Sequence, residues 1–121
     1  MGGKILVVDD DKDLVETITF RLEAAGYEVS SAYDGQEGLE KAMDIKPDLI
    51  LLDVMMPKMD GYQVCRMLKF DENYKNIPII MLTVRGQEQD KNTGVDVGAN
   101  DYITKPFDSK DLLTRIQRIL A

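Results

Sequence analysis

Three runs of consecutive apolar residues, Ile5-Leu6-Val7-Val8, Leu49-Ile50-Leu51-Leu52 and Ile79-Ile80-Met81-Leu82, constrain this chain more than any other feature of it. A strand with one wet face alternates polar and apolar residues; a strand buried on both faces does not, and these runs have the second character. Two further segments, Glu28-Val29-Ser30-Ser31-Ala32 and Asp101-Tyr102-Ile103-Thr104, mix polar with apolar residues as strands at a sheet edge do. The predicted strands are therefore residues 4–8, 28–32, 49–52, 77–82 and 101–103, with the first, third and fourth in the middle.

Helix-like segments fill the gaps between the strands, and this βα repetition predicts an α/β fold: one five-stranded parallel sheet with helices on both faces. With right-handed crossovers the simplest strand order is 2-1-3-4-5, which is flavodoxin-like. Winding reverses between strands one and three, so the crevice beyond their carboxyl ends is the expected ligand site. Leu14, Ile18 and Leu22 form an apolar stripe ending at Gly26, a C-terminal stop. Asp34 and Asp108 stand where N-caps belong. The last helix, with Leu112, Leu113, Ile116, Ile119 and Leu120, is strongly amphipathic, whereas residues 87–96 are polar, contain Gly94 and are expected to form the least stable helix.

The 121 residues are expected to form one domain, residues 1–121, with no linker and no appended output domain. A net charge of −7 opposes binding to nucleic acid or to an anionic membrane surface. No apolar stretch approaches the roughly 20 residues that span a bilayer. The lone Cys65 excludes an internal disulfide and fits a reducing, cytoplasmic location. Histidine is absent, which removes imidazole catalysis and histidine-ligated metals. Chemistry here falls to carboxylates, hydroxyls and amines.

Those groups gather at one edge of the predicted sheet. Asp9, Asp10 and Asp11 follow strand one, Asp53 follows strand three, Thr83 follows strand four, and Lys105-Pro106 lies near the end of strand five. Adjacent carboxylates repel one another unless a positive charge joins them, and an all-oxygen donor set suits a hard cation such as Mg2+. A carboxylate cluster, a hydroxyl and a lysine converging on one crevice match the needs of phosphoryl transfer: charge neutralisation, a donor to a phosphoryl oxygen, and a nucleophile. An Asp ending a strand is often only a turn former. Independent turn formers have no reason to fall at four strand ends on one edge.

The segments VVDDD, LLDVMMPKMDG, MLT and ITKPF closely resemble the receiver domain of two-component response regulators, over essentially the whole chain. The resemblance implies a signalling switch, not a conventional enzyme, catalysing only its own phosphorylation and dephosphorylation. It implies that Asp53 accepts a phosphoryl group from the phosphohistidine of a sensor histidine kinase or phosphotransfer protein. Mg2+ would be held by Asp9, Asp10, Asp53 and the backbone carbonyl of Met55. Lys105 would pair with Asp53 and then with the phosphoryl group, its bond to Pro106 held in cis. Thr83 would bond a phosphoryl oxygen, Tyr102 would follow Thr83 as an aromatic switch, and a downstream output domain or protein, or a second copy in a phosphorylation-dependent homodimer, would read the change.

Some residues depart from the usual pattern. Val84 follows Thr83 where the family favours a small residue, and is expected to crowd the phosphoryl site. Met55 and Arg85 occupy positions that, by the resemblance, tune hydrolysis of the phosphoryl group in the family; a methionine side chain positions no water, so slow self-dephosphorylation is expected. Asp11 and Asp13 read as solvated charges at a helix start, and Cys65 as a small core residue. The alternative reading is a haloacid-dehalogenase-like phosphatase with Asp9 as nucleophile, on the pattern Asp9-x-Asp11, but Asp13 stands where that family expects Thr or Val. A flavin module of the same topology is disfavoured because the acidic triplet would repel its phosphate.

Overall fold

The structure is a computed structural model, and it describes residues 2–84 and 98–121. Five parallel strands form one sheet in the order β2-β1-β3-β4-β5. They are β1 (Lys4–Val8), β2 (Glu28–Ala32), β3 (Leu49–Asp53), β4 (Ile79–Val84) and β5 (Asp101–Lys105). Four helices accompany them among the described residues: α1 (Lys12–Ala24), α2 (Gly35–Ile45), α3 (Gly61–Lys69) and α4 (Ser109–Leu120). The segment 87–96, expected to be the weakest helix, and Arg85 lie outside the described residues.

Every residue of β3 is buried, and so is each of the apolar runs of β1 and β4, as strands covered on both faces require. Side-chain alternation divides these runs between two cores. Leu6, Val8, Ile50, Leu52, Ile79 and Met81 face one cluster, with Leu39 of α2 and Val64, Cys65 and Leu68 of α3. Ile5, Val7, Leu49, Leu51, Ile80 and Leu82 face the other, with Val15, Ile18 and Leu22 of α1 and Leu112 and Ile116 of α4. The edge strands β2 and β5 are only half-buried, in keeping with their mixed sequences. Cys65 is fully buried, a core residue as expected.

Helix ends follow local chemistry. Asp34 caps α2 by accepting from Glu37 N, and Asp108 caps α4 by accepting from Lys110 N. Asp11, read from sequence as a solvated charge, is the N-cap of α1 and accepts from Leu14 N. Asp60 and Gln63 make a reciprocal capping box on α3. Gly26, at φ 98, follows the end of α1 in the left-handed conformation that a helix stop favours.

Strand bounds differ from expectation where the site lies. β3 includes Asp53, β4 runs on through Thr83 to Val84, and β5 reaches Lys105. The ladder continues through these polar residues because Asp53 pairs with Leu82, Thr83 with Thr104 and Val84 with Lys105. β4 begins at Ile79 and not at Ile77, since Ile77 N is taken by Tyr74 O in a turn and Pro78 has no N–H to give.

Leu51 is fully buried on the face toward α1 and α4. Leu51→Ala is expected to lower the unfolding free energy by about 3 kcal/mol in urea titration, the scale of a large cavity that relaxes little; a loss below about 1 kcal/mol would show that face to be loosely packed.

Candidate functional site

Strand parity brings the site together. Asp9 continues the alternation of Ile5 and Val7, Asp53 that of Leu49 and Leu51, and Lys105 that of Ile103, so all three belong to the face covered by α1 and α4. Parallel pairing of β1 with β3 aligns Val8 with Leu52, which sets Asp9 level with Asp53. Lys105 Nζ lies 2.7 Å from Asp9 Oδ2 and 3.2 Å from Asp53 Oδ1. The lysine expected to pair with Asp53 therefore bridges two carboxylates, and it is closer to Asp9. The Lys105–Pro106 bond is cis.

Asp9 is fully buried, and both its oxygens are engaged. Oδ1 accepts from Asp11 N at 3.0 Å and Oδ2 accepts from Lys105. Each oxygen of Asp9 thus already accepts one hydrogen bond, and nothing in the structure supports the phosphatase alternative. Asp53 is 5% exposed and is held only through Oδ1 by Lys105 among the described residues. Asp10 is exposed at the rim. One oxygen from each of Asp9, Asp10 and Asp53 lies within 4.8 Å of the others. That spacing and the all-carboxylate chemistry fit a hard divalent cation.

Burial, reinforced by the charge of Asp9, pushes the Asp53 carboxyl up to about 6, against the opposing pull of Lys105. Lys105 is held above the usual lysine range: burial lowers it, but its bonds and charge interactions with Asp9 and Asp53 outweigh that loss. Both shifts describe a pocket with more negative charge than its lysine offsets.

Thr83 and Tyr102 sit on the opposite parity, the face of Met81 and the α2–α3 cluster. Thr83 is 1% exposed, and its Oγ1 has no hydrogen-bond partner among the described residues. A buried hydroxyl left unbonded costs free energy, and Thr19 Oγ1 is in the same condition. Tyr102 is half-buried against the same cluster, two ladder positions back from Thr83, with its backbone held by Asp101 Oδ1 and by Arg115 Nη1. Met55 stands exposed on the loop after β3. Val84 is exposed too, and lines an apolar groove with Leu14, Pro106 and Phe107 beside Lys105.

Residues 5–117 match the family model for the response regulator receiver domain. The chain belongs to that family. It is 48% identical over 117 residues to the DNA-binding dual master transcriptional regulator RpaA of Synechocystis, covering 97% of this chain and 48% of that one. It is also 48% identical over 120 residues to the alkaline phosphatase synthesis transcriptional regulatory protein PhoP of Bacillus subtilis, covering 99% and 49%. The chain thus spans about half the length of these curated relatives. The chemotaxis response regulator CheY4 of Vibrio cholerae superposes with a TM-score of 0.92 at 38% identity, covering 99% of this chain and all of that one. The protein is a two-component receiver domain, a signalling regulator and not a classical enzyme, and among its described residues no helix is long and apolar enough to cross a membrane.

Because the native receiver keeps a proton on Asp53 up to about pH 6, while an unfolded aspartate titrates near about 3.9, the folded state binds more protons in that window. Stability then falls as pH rises across it. Without metal at pH 7, Asp53→Asn is expected to raise the melting temperature by about 5 °C, and Mg2+ to raise that of the wild type but not of the variant. A lower melting temperature for metal-free Asp53→Asn would contradict the electrostatic account.

Proposed function

We propose that Asp53 is the phosphoacceptor of this receiver, taking a phosphoryl group from the phosphohistidine of a sensor histidine kinase or phosphotransfer protein. The observation that carries this reading is a buried carboxylate with one oxygen unbonded among the described residues, at the end of β3, together with a buried hydroxyl at Thr83 of the neighbouring strand that has no partner among them. The free oxygen of Asp53 forms a bond to phosphorus as the bond from phosphorus to the imidazole nitrogen breaks, and the electron pair leaves with the imidazole. Lys105 moves its charge toward the incoming phosphoryl oxygens while still bonded to Asp9, and Thr83 Oγ1 donates to one of them. Asp9, Asp10, Asp53 and the carbonyl of Met55 would hold Mg2+, which when bound neutralises charge that the carboxylates and phosphoryl oxygens would otherwise set against each other. Autocatalysis here means orientation and charge neutralisation of this one transfer and its reversal by water.

Thr83 bonded to a phosphoryl oxygen draws the end of β4 toward the site, and Tyr102 on the same face follows. Residues 1–121 act as the receiver unit, and the changed surface around β5 and α4 alters affinity for an output domain or protein, or for a second copy. The net charge of −7 supports a domain that makes no direct contact with nucleic acid or membrane, and the lone Cys65 supports a reducing cytoplasm.

Incubation with acetyl phosphate and Mg2+, read by intact mass, is expected to add one phosphoryl group to the wild type and none to Asp53→Asn; Asp9→Asn slows the addition. Labelling of Asp53→Asn at the wild-type rate would sink the assignment. Met55, exposed and without a group to orient water, should favour a long-lived phosphoryl group, so Met55→Asn is expected to shorten its lifetime, on the order of 10-fold if the amide orients the attacking water as a general acid–base group does. An unchanged lifetime would remove Met55 from that role.

A further inference from the structure

The loop between β3 and α3 carries Met55, and its middle rests on a different part of the chain. Its ends are fixed by Val54 N bonding to Leu82 O and by Gly61 N bonding to Val54 O. Between them, Met59 N bonds back to Pro57 O at 2.8 Å across Lys58, whose φ is 70. A bond from one residue to the second before it, with a left-handed residue at the centre, is the rare and strained form of γ-turn. Such a turn persists only where its surroundings hold it.

What holds it is the turn between β2 and α2. A Cβ at Gly35 would lie 1.8 Å from Met59 O and 2.7 Å from Met59 C, so the backbone of the loop is seated directly on the first residue of α2. Asp34 serves both elements at once: Oδ1 accepts from Glu37 N at 2.8 Å, and Oδ2 pairs with Lys58 Nζ at 3.5 Å. Tyr33 adds a tie to the start of α1, with Lys12 Nζ 5.5 Å from its ring centre. The β2–α2 turn therefore touches the first residue of α1, next to the segment that carries Asp9 and Asp10, and the loop after β3 that carries the Met55 carbonyl.

We propose that Asp34-Gly35 is a positioning element for the cation site, fixing the β3–α3 loop so that its backbone completes the oxygen set begun by Asp9, Asp10 and Asp53. The inference rests on the reading of those carboxylates as a Mg2+ site. Gly35 touches no ligand and acts through Met59 and the loop. A side chain there displaces the loop backbone, because the obstacle is a carbonyl and not the end of a flexible side chain.

Isothermal titration of the whole chain with Mg2+ tests the inference, with Gly26→Ala as a control for lost stability, since Gly26 has φ 98 and open space around it. Gly35→Ala is expected to bind Mg2+ about 10-fold more weakly, as loss of a supporting contact to a metal site does, while its maximal acetyl phosphate labelling rate recovers at high Mg2+. Gly26→Ala should bind as the wild type does. Equal affinity in folded Gly35→Ala, or equal weakening in Gly26→Ala, overturns the proposal. If Gly35→Ala does not fold, Lys58→Gln decides by sign: removing a positive charge alone strengthens Mg2+ binding, whereas loosening the seat weakens it by about twofold, the scale of an exposed ion pair. Unchanged or tighter binding by Lys58→Gln likewise overturns the proposal. Wild-type affinity in Asp53→Asn would instead overturn the Mg2+ reading itself.

Discussion

The bridge from Lys105 to Asp9 and Asp53 is the interaction on which the rest depends. Two carboxylates buried side by side at strand ends cannot both stay charged without a cation between them. Lys105 supplies one positive charge against the three carboxylates of the cluster, which leaves two negative charges, matching one divalent ion. The site is therefore balanced to be incomplete. Its remaining negative charge fits a divalent cation, its raised Asp53 records the shortfall of positive charge, and its Thr83 hydroxyl has no partner among the described residues.

The sheet makes that bridge through parity and register. Asp9, Asp53 and Lys105 come from three different strands, yet each continues the alternation of apolar residues on the α1–α4 face. Burying those apolar residues thus aligns the polar ones at the strand ends. Thr83 and Tyr102 continue the other alternation, so the proposed acceptor and the proposed switch residues lie on different faces of one sheet.

Much of this was legible in the sequence because it follows from short-range patterns. The apolar runs identified the central strands, the mixed runs identified the edges, and order 2-1-3-4-5 followed from them. Asp34 and Asp108 announced their caps by position. What stayed hidden depends on contacts between distant segments. Polar residues at positions 53, 83 and 105 looked like strand exits, and only pairing across the sheet shows that they are still strand. Lys105 and Asp9 stand 96 positions apart in the chain, so their contact has no local signal. Asp11 carries a cap signal in its place directly before α1, masked by the like charges of Asp9 and Asp10 beside it. Gly35 had no signal at all in its own neighbourhood, since Met59 arrives from another loop.

A structure of the protein with beryllofluoride and Mg2+ bound tests the central claim most directly. The account predicts beryllium bonded to the Asp53 carboxylate, with one fluorine accepting from Thr83 Oγ1, another from Lys105 Nζ, and the metal shared by Asp9, Asp10 and Asp53. An adduct on Asp9, or a Thr83 hydroxyl still without an acceptor beside an occupied Asp53, would contradict it.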